Sequence, residues 1–435
     1  MRLLIITHAF APGRNPRAFR WTALAEHWAQ KGHDVVVLTG SVPGLPNMEF
    51  SNGVEVHRVG AGWIEKIRAR LAPQVAHTPI CDDARDQKPV LRTFRLLVRK
   101  ALKRLHDLTW KNIYWPDFAA PWILPAIREG ARLLQQQPTI VITVSIPFSS
   151  HLVGYFLHRR GLVSQWIADI GDPFAFMVEA PTNNHAIYGG LNFRVEKAVL
   201  YAADAISVTT ESTLKRYLAT FPLVDGKIFE IPPLSNSPRS APAESVMRAG
   251  KTRLVFTGTL YQAIRGPDRV LALFAKMLAK QGGDLELHFY GNYSEVTRTF
   301  EALPQAVRRH VFLHGEVSRD EAVEAMRSAS ALINIGNDTT YQLPSKLVEY
   351  AATGKPVINV VARQNDSSVV FFKRHPCVFN VIGDAASGDN VAHEALAFLE
   401  SARHRVCTPD AEWLSRFSID SVSGQYEELF DHRLP

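Results

Sequence analysis

The chain has 435 residues, of which 46% are hydrophobic and 21% charged, which is an ordinary balance for a globular protein of two or three domains. Its formal net charge of +7 is compatible with nucleic acid, an anionic membrane surface or phosphorylated substrates. We expect no nucleic-acid partner because no binding signature accompanies the charge, and no membrane span because no apolar run reaches about 18 residues. Cys81, Cys377 and Cys407 are too few and too scattered to predict a disulfide framework or a metal cluster, and they suit a reducing cytosol.

The first half of the chain alternates apolar strands with helical patterns. Residues 3–7 predict a buried strand rather than a signal peptide, and a helix over 17–31 follows, ended by Gly32. Further strands are predicted over 34–39, 54–59, 139–144, 165–168 and 205–209. Strands that alternate with helices indicate a parallel, doubly wound sheet.

Proline, serine and alanine concentrate between residues 232 and 250, which predicts an interdomain linker. The alternation then restarts, with strands predicted over 253–257, 285–290 and 310–313. We therefore predict an N-terminal domain over 1–240, a C-terminal domain over 250–415 and a last helix within 417–430. Two such domains place a cleft at the carboxyl ends of their sheets, where α/β proteins bind ligands.

Residues 344–358 predict a loop, a short helix and a buried strand, and another apolar strand is predicted over 331–335. Ser345 occupies the expected N-cap position of the helix and Gly354 its expected end. The N-terminus of such a helix attracts anions, and Lys346 adds a full positive charge there. Glu349, one turn later, could accept hydrogen bonds from a ribose. Together these features predict a nucleotide site.

This segment resembles the nucleotide-sugar-binding segment of the retaining glycosyltransferases of the GT-B fold, family 4 (glycosyltransferase group 1). The resemblance implies an α/β fold of two Rossmann-like, doubly wound parallel-sheet domains facing an interdomain cleft. It also implies that the final helix, about 415–435, packs back on the first domain. Glu349 matches the second glutamate of the family's two-glutamate motif, which holds the ribose, but Tyr341 stands at the position of the first.

The resemblance assigns further residues of the second domain. Gly258 and Thr259, with Arg265 and Gly266, match the loop that binds the donor phosphates. Taken alone, the pattern would favour an ordinary strand–turn–helix with a surface arginine, but Lys346 and Glu349 downstream favour the phosphate site. Residues 314–317 match the segment whose backbone holds the base, with a simple turn as the alternative. The residues expected to bind the nucleotide sugar are Gly13, Gly258, Thr259, Arg265, Gly315, Val317, Ser345, Lys346, Leu347 and Glu349.

In the first domain, Gly13 lies in the loop after the first strand, and Arg14, Arg17 and Arg20 supply charge there. A later strand ends at Asp169 and Asp172. Either carboxylate could orient an acceptor hydroxyl with His151 nearby, although an Asp before Pro often only initiates a turn. The catalytic candidates are Arg265, Lys346 and Asp172.

Residues 90–111 combine apolar side chains at helical spacing with seven basic residues and one acidic residue, Asp107. This pattern fits a surface helix that packs on the core, or a helix that lies on an anionic membrane surface. A lipid-linked acceptor would be consistent with the membrane alternative.

The function implied by the resemblance is transfer of a sugar from a nucleotide-diphosphate sugar to a glycan or lipid-linked acceptor, with retention, in surface polysaccharide or glycolipid biosynthesis. The leaving phosphate draws the acceptor proton, and Arg265 and Lys346 stabilise the departing diphosphate. We expect no cofactor and no required metal, because the chain has no Asp-x-Asp. The expected location is cytoplasmic or peripheral on the inner face of the membrane.

Two alternatives stay open: a sugar-nucleotide epimerase or hydrolase of the same fold, and a catalytically silent GT-B scaffold at the membrane surface. A dinucleotide dehydrogenase is disfavoured because neither predicted domain has Gly-x-Gly-x-x-Gly after its first strand.

Overall fold

The computed structural model describes residues 1–13, 15–60, 114–135, 137–235, 251–281, 284–403, 407 and 410–431. Arg14, the basic stretch at 90–111 and most of the predicted linker lie outside these ranges. The chain folds into two compact units. Unit 1 comprises Met1–Val208, Tyr217–Glu230 and Gln425–Pro435, and unit 2 comprises Thr209–Arg216 and Ile231–Gly424.

Unit 1 is built on one sheet with helices packed against it. Its strands are β1 (Arg2–Ile6), β2 (Asp34–Gly40), β3 (Met48–Ser51), β4 (Val54–Val59), β5 (Ile140–Val144), β6 (Gln165–Ile170), β7 (Ala205–Val208) and β8 (Ile228–Glu230). Its helices are α1 (Pro16–Gln30), α2 (Ile123–Leu134), α3 (Ser149–Arg159), α4 (His185–Ala202) and α5 (Glu211–Thr220), the first residues of α5 belonging to unit 2. In the described part the strand order is β3-β4-β2-β1-β5-β6-β7-β8, parallel throughout except for β3.

The predicted strands of unit 1 are confirmed with small shifts of their ends, but β3 was not predicted. It pairs antiparallel with the outer edge of β4. As a result β4 is more buried than its alternating pattern predicted, and both His57 and Arg58 are buried. Helix α1 begins at Pro16 because the Asn15 side chain accepts a hydrogen bond from the backbone N–H of Ala18 at 2.8 Å.

Unit 2 repeats the same architecture with a smaller sheet. Its strands are β9 (Thr252–Thr257), β10 (Leu285–Tyr290), β11 (Val311–Gly315), β12 (Ala331–Ile335), β13 (Val357–Val361) and β14 (Val378–Ile382). Its helices are α6 (Asp268–Gln281), α7 (Thr297–Glu301), α8 (Gln305–Arg308), α9 (Arg319–Arg327), α10 (Lys346–Thr353), α11 (Ser367–Phe372), α12 (Asp389–Ala402), α13 (Ala411–Ser415) and α14 (Ile419–Asp431). The strand order in the described part is β11-β10-β9-β12-β13-β14, with all pairs parallel. The protein is thus α/β, with two doubly wound parallel sheets.

The second part of α14, from Gln425, belongs to unit 1. There the ring of Tyr426 contacts the rings of Trp21 and Trp28 on α1. The Tyr426 hydroxyl donates a hydrogen bond to Asp169 Oδ1 at 2.7 Å. The last described turns of the chain are therefore part of the core and the polar network of unit 1.

Cys377 and Cys407 form a disulfide in unit 2, with their Cα atoms 6.0 Å apart. The cysteines were expected to be too few and too scattered for a disulfide framework, and this single disulfide was not predicted. The bond could not be predicted because the cysteines are 30 residues apart and only the fold brings them together.

None of the helices in the described ranges has both the length and the apolar character that a membrane span requires.

The carboxyl ends of β9, β10 and β11 approach one another at glycines. Gly258 donates to the Tyr290 carbonyl at 2.8 Å, and Gly291 donates to the Gly315 carbonyl at 2.7 Å. Gly291 has a φ of +128°, and a Cβ atom there would lie 2.0 Å from the Gly258 carbonyl oxygen. This edge of the sheet therefore requires glycine at position 291.

Gly291→Ala should lower the free energy of unfolding by about 2 kcal/mol or more, because the new methyl group meets backbone at a φ that side chains rarely adopt. Gly424→Ala is the matched control: it lies in α14 with no atom within 4 Å of the added Cβ, so its melting temperature should stay equal or rise. Urea unfolding of both variants measures the difference. Equal stability of Gly291→Ala and wild type would contradict the close approach.

Candidate functional site

Helix α10 begins at the carboxyl edge of the unit 2 sheet, directly after the loop that follows β12. Ser345 has helical backbone angles (φ −55°, ψ −28°), and its side chain makes no capping hydrogen bond. The predicted capping role of Ser345 was therefore wrong, because a capping residue needs an extended backbone. Gly354 ends the helix at a φ of +64°, as predicted.

The first turn of α10 uses part of its own N–H groups. The N–H groups of Leu347 and Val348 donate to the carbonyls of Pro344 and Ser345. The side chain of Leu347 is fully buried and packs with Val255 and Leu332. The side chain of Leu347, which was expected to bind the nucleotide sugar, thus lies in the core. Because the N–H groups of Leu347 and Val348 are already bonded, the charged side chains are the groups at this edge that can attract an anion.

Lys346 lies partly buried in the first turn of α10, and the desolvation caused by burial lowers the pKa of its ammonium group. The positive charges of Arg265 and Arg319 lower this pKa further, whereas Glu349 opposes them. Lys346 Nζ has no hydrogen bond or ion pair with any residue that the structure describes. A cation in this position is stabilised when an anion binds beside it.

Arg265 is oriented by the loop that follows β12. Its Nε donates to Asn337 Oδ1 at 2.9 Å, and Nη2 donates to the same oxygen. Its Nη1 lies 3.5 Å from the Thr259 carbonyl oxygen and faces Gly258, where a side chain would come within 3.8 Å. The structure thus brings Arg265, Gly258 and Thr259 together in unit 2, as the sequence predicted.

Glu349 lies one turn after Lys346, and its Oε1 is 3.5 Å from Arg319 Nη2. Arg319 is the first residue of α9, which starts with a capping box between Ser318 and Glu321. Arg319 was not among the residues predicted from the sequence. Its signal was a basic residue in the first turn of a capped helix just after the segment at 314–317.

Tyr341, at the position of the family's first glutamate, is only 6% exposed. Its carbonyl oxygen accepts hydrogen bonds from the hydroxyls of Thr210 and Thr213 at 3.0 and 2.8 Å. This tyrosine is a packed residue of unit 2. No carboxylate therefore enters the site from position 341.

The segment expected to hold the base follows β11. Gly315 has a φ of +75°, which favours glycine, and Val317 is half-buried beyond it. The rings of Tyr290 and His314 stack in parallel with centroids 4.0 Å apart. The backbone here turns at the same carboxyl edge as Gly258.

In unit 1 the carboxylates have different environments. Asp169 is 1% exposed and accepts hydrogen bonds from Arg17, Ser207 and Tyr426. Because its oxygens are buried and bonded, the idea that Asp169 orients an acceptor hydroxyl was wrong. Asp172 is half-buried just beyond the end of β6 and remains the carboxylate candidate of this edge.

His151 is fully enclosed in unit 1. Its Nδ1 lies 2.7 Å from the Thr143 hydroxyl, and burial lowers its pKa to about 4. The ring is therefore neutral at pH 7. Gly13 forms a tight turn, since its N–H donates to the Phe10 carbonyl and a Cβ would lie 2.9 Å from that oxygen.

Part of unit 2 matches the model of a known protein family. Residues 251–369, which span Gly258 to Glu349, match the family model of glycosyl transferases group 1. No curated protein sequence matches the chain significantly.

Solved structures share the fold over almost the whole chain. The sucrose-phosphate synthase of Thermosynechococcus elongatus is 17% identical, with a TM-score of 0.63 over 99% of this chain and 98% of that one. Anabaena HepE, solved with UDP-glucose, is 11% identical with a TM-score of 0.58 over 99% of both chains. WaaG, a glycosyltransferase involved in lipopolysaccharide biosynthesis, is 12% identical with a TM-score of 0.56 over 99% of this chain and 100% of that one. At these identities the likeness shows the GT-B fold.

Lys346→Met should raise the melting temperature at pH 7, because a methionine of similar shape carries no charge to desolvate. The folded-state pKa of Lys346 lies below the ordinary 10.5. Between those two values the unfolded chain holds a proton that the folded chain lacks, so the stability of the wild type rises with pH there. The difference between variant and wild type should therefore shrink as the pH is raised towards 10.5. Thermal melts over this range measure it, and a constant or growing difference would contradict the lowered pKa.

Proposed function

We propose that the protein is a glycosyltransferase that transfers a sugar from a nucleotide-diphosphate sugar to a glycan or lipid-linked acceptor. Support comes from the match of residues 251–369 to the family model of glycosyl transferases group 1 and from the shared GT-B fold. The observation that carries the proposal is the charge arrangement in unit 2. Lys346 makes no hydrogen bond or ion pair with the described residues, but it interacts electrostatically with Arg265, Arg319 and Glu349. Two further cations and one carboxylate around a lysine favour an anionic ligand.

We propose that the diphosphate of the donor lies between Lys346 and Arg265, and that Glu349 accepts hydrogen bonds from the ribose. Arg265 presents a planar fork that suits phosphate oxygens, and Asn337 holds this fork in place. Glu349 is close enough to interact electrostatically with Lys346, as a ribose ligand next to a phosphate ligand should be. Anabaena HepE was solved with UDP-glucose, so uridine nucleotides are the first donors to test.

The reaction proposed is transfer with retention. The bond from the anomeric carbon to the diphosphate oxygen breaks, and a bond to the acceptor oxygen forms on the same face of the sugar. The acceptor proton moves to the departing phosphate oxygen. Arg265 and Lys346 stabilise the negative charge that develops on the diphosphate, which is the electrostatic work that a metal ion performs in other enzymes. We therefore propose that no metal and no cofactor is required.

For the acceptor, we propose a surface glycan or glycolipid that is assembled on the cytoplasmic side of the membrane. Support comes from the net charge of +7 and from the likeness to WaaG. Asp172 is the proposed catalytic-site carboxylate of unit 1.

A catalytically silent scaffold is the second candidate, favoured by the buried Tyr341 at the place of a family glutamate. It predicts nucleotide binding that is weak or absent.

A thermal-shift screen against UDP, GDP, ADP and dTDP, with and without EDTA, should show a rise in melting temperature with one of them. The rise should persist in EDTA, because protein cations rather than a metal hold the diphosphate. Lys346→Met should lose most of this rise. A wild-type protein that shifts with none of the four nucleotides would contradict the transferase proposal and support the silent scaffold.

Glu349→Gln should weaken binding of that nucleotide about tenfold, since hydrogen bonds to a charged group are the stronger ones. Its melting temperature should change little, because the 3.5 Å pair with Arg319 is partly exposed. Asp320→Asn, which removes an exposed carboxylate on the neighbouring helix, is the matched control and should bind as the wild type does. Equal affinity of Glu349→Gln and wild type would remove Glu349 from the site.

A further inference from the structure

The side chain of Arg17 lies at the carboxyl edge of the unit 1 sheet. Arg17 is the second residue of α1, and its Nη1 donates to Asp169 Oδ2 at 3.2 Å. Its side chain stays 19% exposed. This is the one hydrogen bond of its guanidinium with the residues that the structure describes, so its other N–H groups are available to a ligand.

Gly171 provides the space for this guanidinium. A Cβ atom at position 171 would lie 1.4 Å from Arg17 Nη2 and 2.0 Å from Cζ. The Gly171 N–H donates to the Ser145 hydroxyl at 3.1 Å, which fixes the backbone beneath the guanidinium. The guanidinium of Arg17 therefore fills the space that a side chain at position 171 would occupy, just beyond the end of β6.

The charged side chains of this edge include the buried Asp169, the half-buried Asp172 and two arginines. Asp169 interacts with two guanidinium groups, those of Arg17 and the buried Arg20. His151, which interacts electrostatically with Asp169 and Arg17, is neutral because burial lowers its pKa to about 4. Asp169 is thus shared by two cations, and Arg17 is the more exposed of the two.

We propose that Arg17, at the start of α1 and resting on Gly171, binds a phosphate group of the acceptor. A guanidinium held at one nitrogen by a buried carboxylate presents its remaining N–H groups in a fixed orientation, which suits bidentate binding of a tetrahedral anion. The first turn of α1 adds the positive end of the helix dipole. The inference rests on the proposed transferase function, and it restricts the acceptor to a phosphate-bearing glycan or lipid.

The phosphate at Arg17 has two conceivable sources, the acceptor and the donor diphosphate, and the experiment separates them. Binding of inorganic phosphate is measured by calorimetry on the full chain in a Lys346→Ala background, which weakens the proposed donor site. Addition of Arg17→Gln should then weaken phosphate binding about tenfold or more. Gly171→Ala should do the same, because its methyl group displaces the guanidinium while every charge is kept.

Gly190→Ala is the matched control for the glycine substitution. Gly190 is exposed on α4, and no atom lies within 4 Å of an added Cβ, so phosphate binding should not change. If Gly171→Ala acts only through Arg17, the double variant Arg17→Gln with Gly171→Ala should bind phosphate as weakly as Arg17→Gln alone.

Phosphate affinity that is independent of Arg17 and Gly171 would overturn the proposal. It would also be overturned if, with Lys346 intact, Arg17→Gln weakened nucleotide-diphosphate binding as strongly as Lys346→Ala does, because the anion would then be the donor's own. If Arg17→Gln fails to fold, the Gly171→Ala variant still tests the proposal, because it displaces the same guanidinium. Failure of the nucleotide screen would refute the transferase proposal but would leave phosphate binding at Arg17 measurable in its own right.

Discussion

The desolvation of Lys346 is the constraint on which the candidate site depends. An ammonium group loses hydration when it is buried, and here the nearby Arg265 and Arg319 add repulsion while Glu349 offsets part of it. The sheet fixes this arrangement, because Lys346 begins helix α10 after strand β12. Asn337, in the loop between β12 and α10, accepts a hydrogen bond from Arg265 and so holds the guanidinium in place. Unit 2 therefore accumulates positive charge at the edge where parallel sheets bind ligands.

The two units hold their cations in different ways. In unit 1 a buried carboxylate, Asp169, fixes Arg17, and Tyr426 and Ser207 bond its other oxygen. In unit 2 no carboxylate bonds Lys346 within the described residues. A fixed guanidinium selects an anion by geometry, whereas a desolvated ammonium attracts one by charge. The first arrangement suits recognition of one group on a substrate, and the second suits stabilisation of charge that develops during a reaction.

The sequence predicted the fold well because strands buried on both faces read as apolar runs, for example at 331–335 and 357–361. It missed β3, a short exposed edge strand with no such run. Candidate site residues that are close in sequence, such as Lys346 and Glu349 on one helix, could be grouped from the sequence alone. Contacts such as that of Arg17 with Asp169, 152 residues apart, depend on the register of the whole sheet and leave no local signal.

The free-energy cost of desolvating the Lys346 ammonium group bears on the choice between an enzyme and a silent scaffold. A partly buried lysine that makes no hydrogen bond with the described residues lowers the stability of the unliganded protein, and an apolar residue of similar size would remove that cost. Destabilising groups of this kind are typical of sites where function requires them. Tyr341, in contrast, is well packed, and its carbonyl is bonded to two hydroxyls. Position 341 thus holds a packed, uncharged side chain, whereas position 346 holds a cation that lowers stability. This combination favours retained anion binding over a silent scaffold.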